Sequence, residues 1–287
     1  MFNKLLNFSD INRESLEKVL FKKNLPNNLI NKNIGLLFEK PSTRTRISFS
    51  VGINHLGGNA IDLKFDDLNI SRSETFQDTF KALNCYLDGL VYRTSEHENL
   101  EVASKYFKKP IINALSEKSH PCQAISDIYT LKEHYGKLSL NILWMGDLSN
   151  VCFSLIEASH FISELKITVC SHQDIISKCS WKIPDNVKFI NNLNNFNFDE
   201  CDCVMTDVFI SMNDKDNQKK IDTLKSYQVN SAIMDKTSDK CIFMHCLPAK
   251  VGFEVTEDVL NGPKSIVWQQ AKNKMIAQKK ILQCINW

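Results

Sequence analysis

Residues 38–46, which read Phe-Glu-Lys-Pro-Ser-Thr-Arg-Thr-Arg, constrain the fold of this chain more than any other stretch. A short apolar run, residues 34–38, leads into it, and a run with helical periodicity, residues 47–56, follows it. This pattern predicts a buried strand, a tight turn and a helix that opens on Ser-Thr-Arg-Thr. Such a helix start attracts anions through its free N–H groups and its dipole. We therefore expect a phosphate site, with a solvated loop or a plain helix cap as the alternative.

The side chains of this stretch suit a phosphate group. Ser42, Thr43 and Thr45 bring hydroxyl donors, and Arg44 brings a forked cation that matches phosphate oxygens. We expect the rest of the chain to be arranged around this pocket.

Apolar runs and helical patterns alternate along the remaining sequence. They predict an α/β protein of two domains, each a mostly parallel sheet flanked by helices, with a long C-terminal helix. The length of 287 residues fits two domains. We assign residues 1–134 to the first domain and 135–264 to the second. Residues 265–287 form the C-terminal helix, which we expect to pack back on the first domain. Ser9 or Asp10 is the expected cap of the first helix.

The bulk composition is that of a soluble globular protein, with 43% hydrophobic and 24% charged residues. A net charge of +2 gives no broad basic field, so we expect no nucleic-acid partner. We find no long apolar span and no signal peptide, and we therefore expect a cytoplasmic protein without membrane contact. The ten cysteines are scattered through apolar runs and are expected to be reduced thiols.

Further polar residues follow the predicted strands of the first domain. Arg93 ends one strand, and His120-Pro121-Cys122-Gln123 follows another and opens a helix, with proline in its favoured first position. Ligands bind at the carboxyl edge of alternating strand–helix folds, so these residues are candidates for a site. A surface arginine and a structural histidine are the alternatives that each residue leaves open when taken alone.

The second domain offers Asp207 after one predicted strand and His245-Cys246-Leu247-Pro248 after another. Asp207 is interpreted as a helix cap, a buried ion-pair partner or a ligand for an amine. The turn at residues 146–150 lacks the Gly-x-Gly-x-x-Gly pattern, so we expect no nicotinamide cofactor. His245 and Cys246 lack two further suitably spaced ligands for zinc, and neighbouring residues seldom face each other as nucleophile and base. We predict neither a metal nor any cofactor.

Four sequence elements, in this order, resemble the aspartate/ornithine carbamoyltransferase family. They are Ser-Thr-Arg-Thr-Arg from Ser42, His-Pro-Cys-Gln from His120, Asp207 followed by Ser211-Met212, and His-Cys-Leu-Pro from His245. The resemblance runs from Phe38 to the C-terminal helix. Aspartate-specific members typically carry His-Pro-Leu-Pro at the last element and lack Ser-Met, so the contrast favours ornithine.

The resemblance implies a role for each matching residue. Arg44, Arg93, His120, Gln123, Asp207 and Cys246 are the implied catalytic residues. The implied ligands of carbamoyl phosphate are Ser42, Thr43, Arg44, Thr45, Asn69, Arg93, His120, Pro121, Cys122, Gln123, Cys246, Leu247 and Lys274. The implied ligands of the amino-acid end of ornithine are Asn150, Asp207, Ser211 and Met212.

The reaction implied by the resemblance is attack of a neutral δ-amine on the carbamoyl carbon, giving citrulline and phosphate for arginine biosynthesis. Phosphate is already a good leaving group, so the protein has to neutralise charge, donate to an oxyanion and align the amine. Family members are homotrimers with shared sites, and a loop of residues 64–72 would reach the neighbouring subunit. They close their two domains around the substrates, which excludes water.

Three departures from the family pattern keep other functions open. Asn69 stands where a glutamine is usual, Lys274 where an arginine is usual, and residues 250–256 replace a His-Arg-Gly-Glu-Glu-Val-Thr segment. The alternatives are transfer to a related amine, namely N-acetylornithine, N-succinylornithine or putrescine, and a non-catalytic homologue that only binds carbamoyl phosphate.

Overall fold

The computed structural model describes residues 1–72, 74–210 and 217–287. The chain forms two compact units. The first comprises Met1–Tyr129 together with Lys272–Trp287, and the second comprises Thr130–Ala271. The division falls inside two helices, a few residues from the boundaries predicted at 134 and 264.

The first unit holds a five-stranded sheet in the order β1-β5-β4-β2-β3, with all pairs parallel. Its strands are β1 (Lys4–Leu5), β2 (Asn33–Phe38), β3 (Asn59–Lys64), β4 (Gly89–Arg93) and β5 (Ile111–Leu115). Its helices are α1 (Arg13–Phe21), α2 (Thr43–His55), α3 (Phe76–Tyr86) and α4 (His97–Tyr106). Helix α5 (Pro121–Tyr135) starts in this unit, and helix α11 (Val267–Gln283) ends in it.

The second unit holds another parallel sheet, in the order β10-β9-β6-β7-β8. Its strands are β6 (Leu140–Met145), β7 (Leu165–Cys170), β8 (Val187–Ile190), β9 (Cys203–Thr206) and β10 (Ile242–His245). Its helices are α6 (Asn150–Ser159), α7 (Gln173–Ile176), α8 (Asn217–Leu224), α9 (Ser231–Met234) and α10 (Glu257–Leu260). The predicted fold class of two parallel α/β sheets with a long C-terminal helix is confirmed.

Burial follows the sheets in both units. Strand β4 is buried at all five positions and β9 at all four, as expected for central parallel strands that helices cover on both faces. Phe80 and Tyr92 pack in the first core, and Phe209 and Phe243 pack in the second. Within the described parts of the chain, every helix is too short or too polar to cross a bilayer.

The cap predicted for the first helix was wrong. Ser9 and Asp10 lie in a short 3-10 helix, and Asn12 caps α1 by accepting the Ser15 N–H at 2.8 Å. Asp10 instead accepts the N–H groups of Leu6 and Asn7. The sequence offered three cap-forming side chains within four residues, and propensity alone does not choose between them.

Candidate functional site

Each sheet has one point where the strand order reverses, and the candidate residues gather there. In the first sheet the reversal lies between β2 and β4, so the turn after β2 and Arg93 at the end of β4 flank it. In the second sheet it lies between β6 and β9, so the turn after β6 and Asp207 after β9 flank it. Open parallel sheets bind ligands at such switch points. Each unit therefore carries its own candidate site.

The start of helix α2 forms one wall of the first site. Ser42 is the N-cap residue and has extended backbone (φ −151°, ψ 106°), but its side chain makes no capping hydrogen bond. Thr45 is buried, while Arg44 is half-buried. Arg46 forms an exposed ion pair with Asp62 at 2.8 Å, so it serves the surface between α2 and β3. The assignment of Arg44, and not Arg46, to the site stays a prediction.

His120 lies beside two buried cations. Arg93 and Lys274 are only 8% and 5% exposed, and both lie close enough to act on the imidazole. Burial lowers the pKa of His120 well below its ordinary value, and the charges of Lys274 and Arg93 lower it further. His120 is therefore neutral at pH 7, and two positive charges are concentrated in a poorly solvated site. Such a site favours an anionic ligand.

Gln123 joins this cluster through a continuous set of hydrogen bonds. The Lys274 ammonium donates to the Gln123 Oε1 at 2.7 Å, and the Gln123 Nε2 donates to the Asp127 Oδ1 at 2.8 Å. Asp127 is fully buried one helical turn beyond Gln123. Helix α11 thus reaches the start of α5, and four predicted residues, Arg93, His120, Gln123 and Lys274, come together.

The backbone around His120 is fixed by a buried asparagine. The side-chain amide of Asn113, near the end of β5, donates to the carbonyls of Leu6 and Ser119 at 2.8 and 3.1 Å. These bonds hold the loop that precedes His120. The Cys122 thiol donates to the Asn113 carbonyl at 3.4 Å and is fully buried, and burial raises its pKa to about 12.

Asn69 does not belong to this cluster. Asn69 is exposed in a short 3-10 helix, Asn69–Arg72, beyond the edge strand β3. Ser211 and Met212, predicted for the amino-acid end of ornithine, lie outside the described residues.

The second site is built around the carboxylate of Asp207, which is 7% exposed. Its Oδ1 accepts from the Val208 N–H at 2.8 Å and from the Cys246 thiol at 3.1 Å. Its Oδ2 accepts from the Ser149 hydroxyl at 3.0 Å. The ends of three adjacent strands, β10, β9 and β6, thereby meet at one carboxylate, and the predicted pair Asp207 and Cys246 is in contact.

The turn after β6 needs its glycine. Gly146 has φ +112°, and a Cβ there would lie 2.7 Å from the Phe209 ring. The turn then leads to Ser149, which caps α6 by accepting the Cys152 N–H, and Asn150 begins the helix. Asn150, predicted to bind the amino acid, is therefore next to the residue that donates to Asp207.

His245 supports the neighbouring Cys246. Its Nδ1 accepts the Leu247 N–H at 2.9 Å, and its Nε2 lies 3.2 Å from the buried Glu254 carboxylate. Because Nδ1 is an acceptor, the ring proton is on Nε2 and faces Glu254. Potential ligand atoms of Asp207, His245 and Cys246 lie within 4.8 Å of one another. Both ring nitrogens already have protein partners, so we assign the histidine to this hydrogen-bond network.

Besides Asn113, four polar residues in the described parts of the two sites were missed by sequence reasoning. Asp127 and Ser149 contact predicted residues directly, and Glu254 holds His245. Lys220 pairs with Asp147 in the turn after β6 at 2.7 Å. The spacing from Gln123 to Asp127 was the one available signal, since residues four apart share a helix face. The other contacts join distant parts of the chain.

Comparisons with known proteins match both halves of the chain. Residues 2–133 match a family model described as aspartate/ornithine carbamoyltransferase, carbamoyl-P binding domain, and residues 139–285 match the Asp/Orn binding domain. The chain belongs to the aspartate/ornithine carbamoyltransferase family. The resemblance stated from the sequence motifs is thereby confirmed.

Individual relatives agree with the family assignment. The chain is 40% identical over 264 residues to an ornithine carbamoyltransferase of Methanosphaera stadtmanae, covering 88% of this chain and 87% of the relative. It is 38% identical to one of Hydrogenovibrio crunogenus, covering 89% and 85%. A solved ornithine carbamoyltransferase from Thermus thermophilus has a TM-score of 0.85 and 31% identity, over 98% of this chain and 97% of that chain.

Proposed function

We propose that this enzyme transfers the carbamoyl group of carbamoyl phosphate to the δ-amine of L-ornithine, giving L-citrulline and phosphate in arginine biosynthesis. The family models and the named relatives support this activity. The structural observation that carries the proposal is the neutral His120 beside the buried cations Arg93 and Lys274. His120 and Arg93 lie in the half of the chain that matches a carbamoyl-phosphate-binding domain, and Lys274 joins them from the C-terminal helix α11.

In our proposal the start of α2 binds the phosphate. The N–H groups of the first turn and the hydroxyls of Ser42, Thr43 and Thr45 donate to its oxygens. Arg44 and Arg93 neutralise its charge, and Lys274 adds a third cation. Lysine keeps the charge of the arginine that is usual in the family but offers no planar fork.

The carbamoyl carbonyl is polarised by Thr45, Arg93 and His120. The δ-amine nitrogen forms a bond to the carbonyl carbon, and the electron pair of the C=O moves to oxygen to give an oxyanion. The oxyanion's electron pair then re-forms the C=O as the bond between carbon and the bridging phosphate oxygen breaks, and phosphate leaves with a proton from the nitrogen, which became cationic on attack. Pre-placed donors are effective because they need no rearrangement as the charge develops.

In this mechanism Gln123 accepts a hydrogen bond from the carbamoyl NH₂ group. Backbone groups around Cys246 and Leu247 also bind this NH₂ group. Asn150, Asp207, Ser211 and Met212 hold the amino-acid end of ornithine. The buried carboxylate of Asp207 supports this role, because its donors, two on Oδ1 and one on Oδ2, leave a lone pair on Oδ2 for an ammonium. No step needs a metal or an organic cofactor, since phosphate leaves without further activation.

We also propose a homotrimer in the cytoplasm, in which Asn69 completes the site of a neighbouring subunit. Its exposure beyond an edge strand supports this role, and the free thiols of all ten cysteines suit a reducing compartment. Light scattering should give three times the chain mass. Mixing the impaired Asn69→Ala and His120→Asn subunits should raise the activity above that of either variant alone, whereas no gain in activity would exclude a shared site.

Formation of citrulline from carbamoyl phosphate and ornithine, followed by a colorimetric assay, tests the reaction. Absence of citrulline at millimolar substrates would reject the proposal. Binding of carbamoyl phosphate in a calorimeter without turnover would instead identify a non-catalytic homologue. Assays with N-acetylornithine, N-succinylornithine and putrescine test the acceptor, and a preference for one of these would replace ornithine in the proposal.

A further inference from the structure

Asp127 is a buried carboxylate to which the mechanism above gives no role. It lies in α5, its side chain has no exposed surface, and it accepts from the Gln123 Nε2 at 2.8 Å. Burial of a carboxylate is costly unless its charge is compensated. Lys274 supplies a compensating charge at the other end of Gln123, where its ammonium donates to Oε1 at 2.7 Å.

The two charged neighbours fix which way the Gln123 amide points. A carboxylate only accepts and an ammonium only donates, so Nε2 has to face Asp127 and Oε1 has to face Lys274. The opposite orientation would place the NH₂ group against the ammonium and the carbonyl oxygen against the carboxylate. The orientation of this amide therefore follows from the chemistry of its partners.

We propose that Asp127 is a positioning residue that keeps the Gln123 Oε1 directed toward the carbamoyl NH₂ group. The inference rests on the proposed function. Oε1 has two lone pairs, of which Lys274 uses one, and the other is available to a donor on the ligand. When an anionic ligand draws Lys274 toward itself, the bond to Asp127 is the constraint that remains on the amide. Asp127 and Gln123 lie four residues apart on one helix, so their contact does not depend on the ligand.

A double-mutant cycle on the full-length enzyme tests the proposal. We expect Asp127→Asn to lower kcat about 10-fold, with KM for carbamoyl phosphate changed by less than about 3-fold and KM for ornithine unchanged. Asparagine offers both a donor and an acceptor, and it no longer selects one amide orientation. Gln123→Ala should lower kcat about 100-fold.

The decisive variant combines both changes. If Asp127 acts only through Gln123, adding Asp127→Asn to Gln123→Ala should change kcat by less than about 2-fold. Independent effects that multiply would overturn the proposal. A wild-type enzyme that makes no citrulline would overturn the proposed function instead, so the two failures are distinguishable.

Two further variants separate positioning from stability. Asp88→Asn removes a carboxylate that accepts from the Asn33 N–H and Lys32 at 2.9 and 3.2 Å, in the same unit but outside the site. It should lower the melting temperature and leave kcat unchanged. If Asp127→Asn does not fold, Asp127→Glu keeps the charge and moves the acceptor by one methylene. Its loss of kcat should also vanish in the Gln123→Ala background, and a persisting loss would contradict the proposal.

Discussion

At the scale of single residues, the proposed chemistry depends on an uncharged His120 that donates to the carbonyl oxygen. His120→Asn keeps a donor but shortens its reach, so we expect kcat to fall about 10²-fold with little change in KM for carbamoyl phosphate. Steady-state kinetics measure both constants. His55→Asn, at the exposed end of α2, is the matched control and should behave as the wild type. An equal loss in the control would show that the effect is not local.

Lys274 offers a second residue-scale prediction, because it is both a proposed ligand and a cause of the low pKa of His120. Lys274→Met should raise KM for carbamoyl phosphate about 10-fold or more, since it removes a buried cation from the anion site. Lys274→Arg should lower KM, because the fork binds phosphate oxygens in pairs.

The same pair of variants has a readout besides activity. Removal of the ammonium in Lys274→Met should raise the pKa of His120, which NMR of the imidazole C–H signals would detect. An unchanged KM in both variants, with a shifted His120 pKa, would restrict Lys274 to an electrostatic role.

Asp207 provides the corresponding prediction for the binding of the amino-acid end of ornithine. Asp207→Asn removes the charge but keeps the shape, so we expect KM for ornithine to rise 10- to 100-fold, about 1.4 to 2.7 kcal/mol, while KM for carbamoyl phosphate stays constant. Initial rates with each substrate varied in turn separate the two constants. A rise confined to the KM for carbamoyl phosphate would contradict the assignment of Asp207 to ornithine.

At the scale of elements, one helix-capping residue contributes both to folding and to the candidate site. Ser149 caps α6 and also donates to Asp207, whereas Asn12 only caps α1. Loss of either cap should destabilise the protein by about 1 kcal/mol in chemical denaturation. Ser149→Ala should additionally raise KM for ornithine, and Asn12→Ala should not. Equal kinetics in the two variants would contradict a link between the cap and the site.

The sequence predicts those elements best whose signals are local. The strand before residue 38, the helix opening at Thr43 and the proline at the first position of α5 all follow from neighbouring residues, and the structure agrees. Strand β1, only two residues long, was missed because it exists through its pairing with β5. Glu254 was missed for the same reason, since it acts through His245 on a separate element.

At the scale of the whole molecule, both units place their candidate site at the same position in the sheet. Each has a parallel sheet with one reversal of strand order, and polar residues from adjacent strand ends meet beside it. The first unit concentrates cations there, and the second presents a carboxylate. This difference in charge suits a phosphate in the first and an amine in the second. One type of parallel sheet thus provides two sites of opposite charge, because different residues follow its strands in the two units.

The buried histidines also make the stability of the whole molecule depend on pH. Burial lowers the pKa of His120 and of His97, so both are neutral in the folded protein at pH 7. In the unfolded chain they bind protons at about pH 6.5. Below that pH the unfolded state binds more protons than the folded state, and the free energy of unfolding decreases as the pH falls.

Each histidine contributes up to about 1.4 kcal/mol per pH unit between pH 6.5 and its folded pKa. Urea denaturation between pH 7.5 and 5.0 should therefore show a free energy of unfolding that starts to decrease near pH 6.5. The carboxyl groups with lowered pKa, such as Asp88, titrate below this window. In the double variant His97→Gln, His120→Asn, the free energy of unfolding should decrease less between pH 6.5 and 5.0. If the free energy of unfolding has the same slope against pH in the wild type and the double variant, other groups govern the stability in acid.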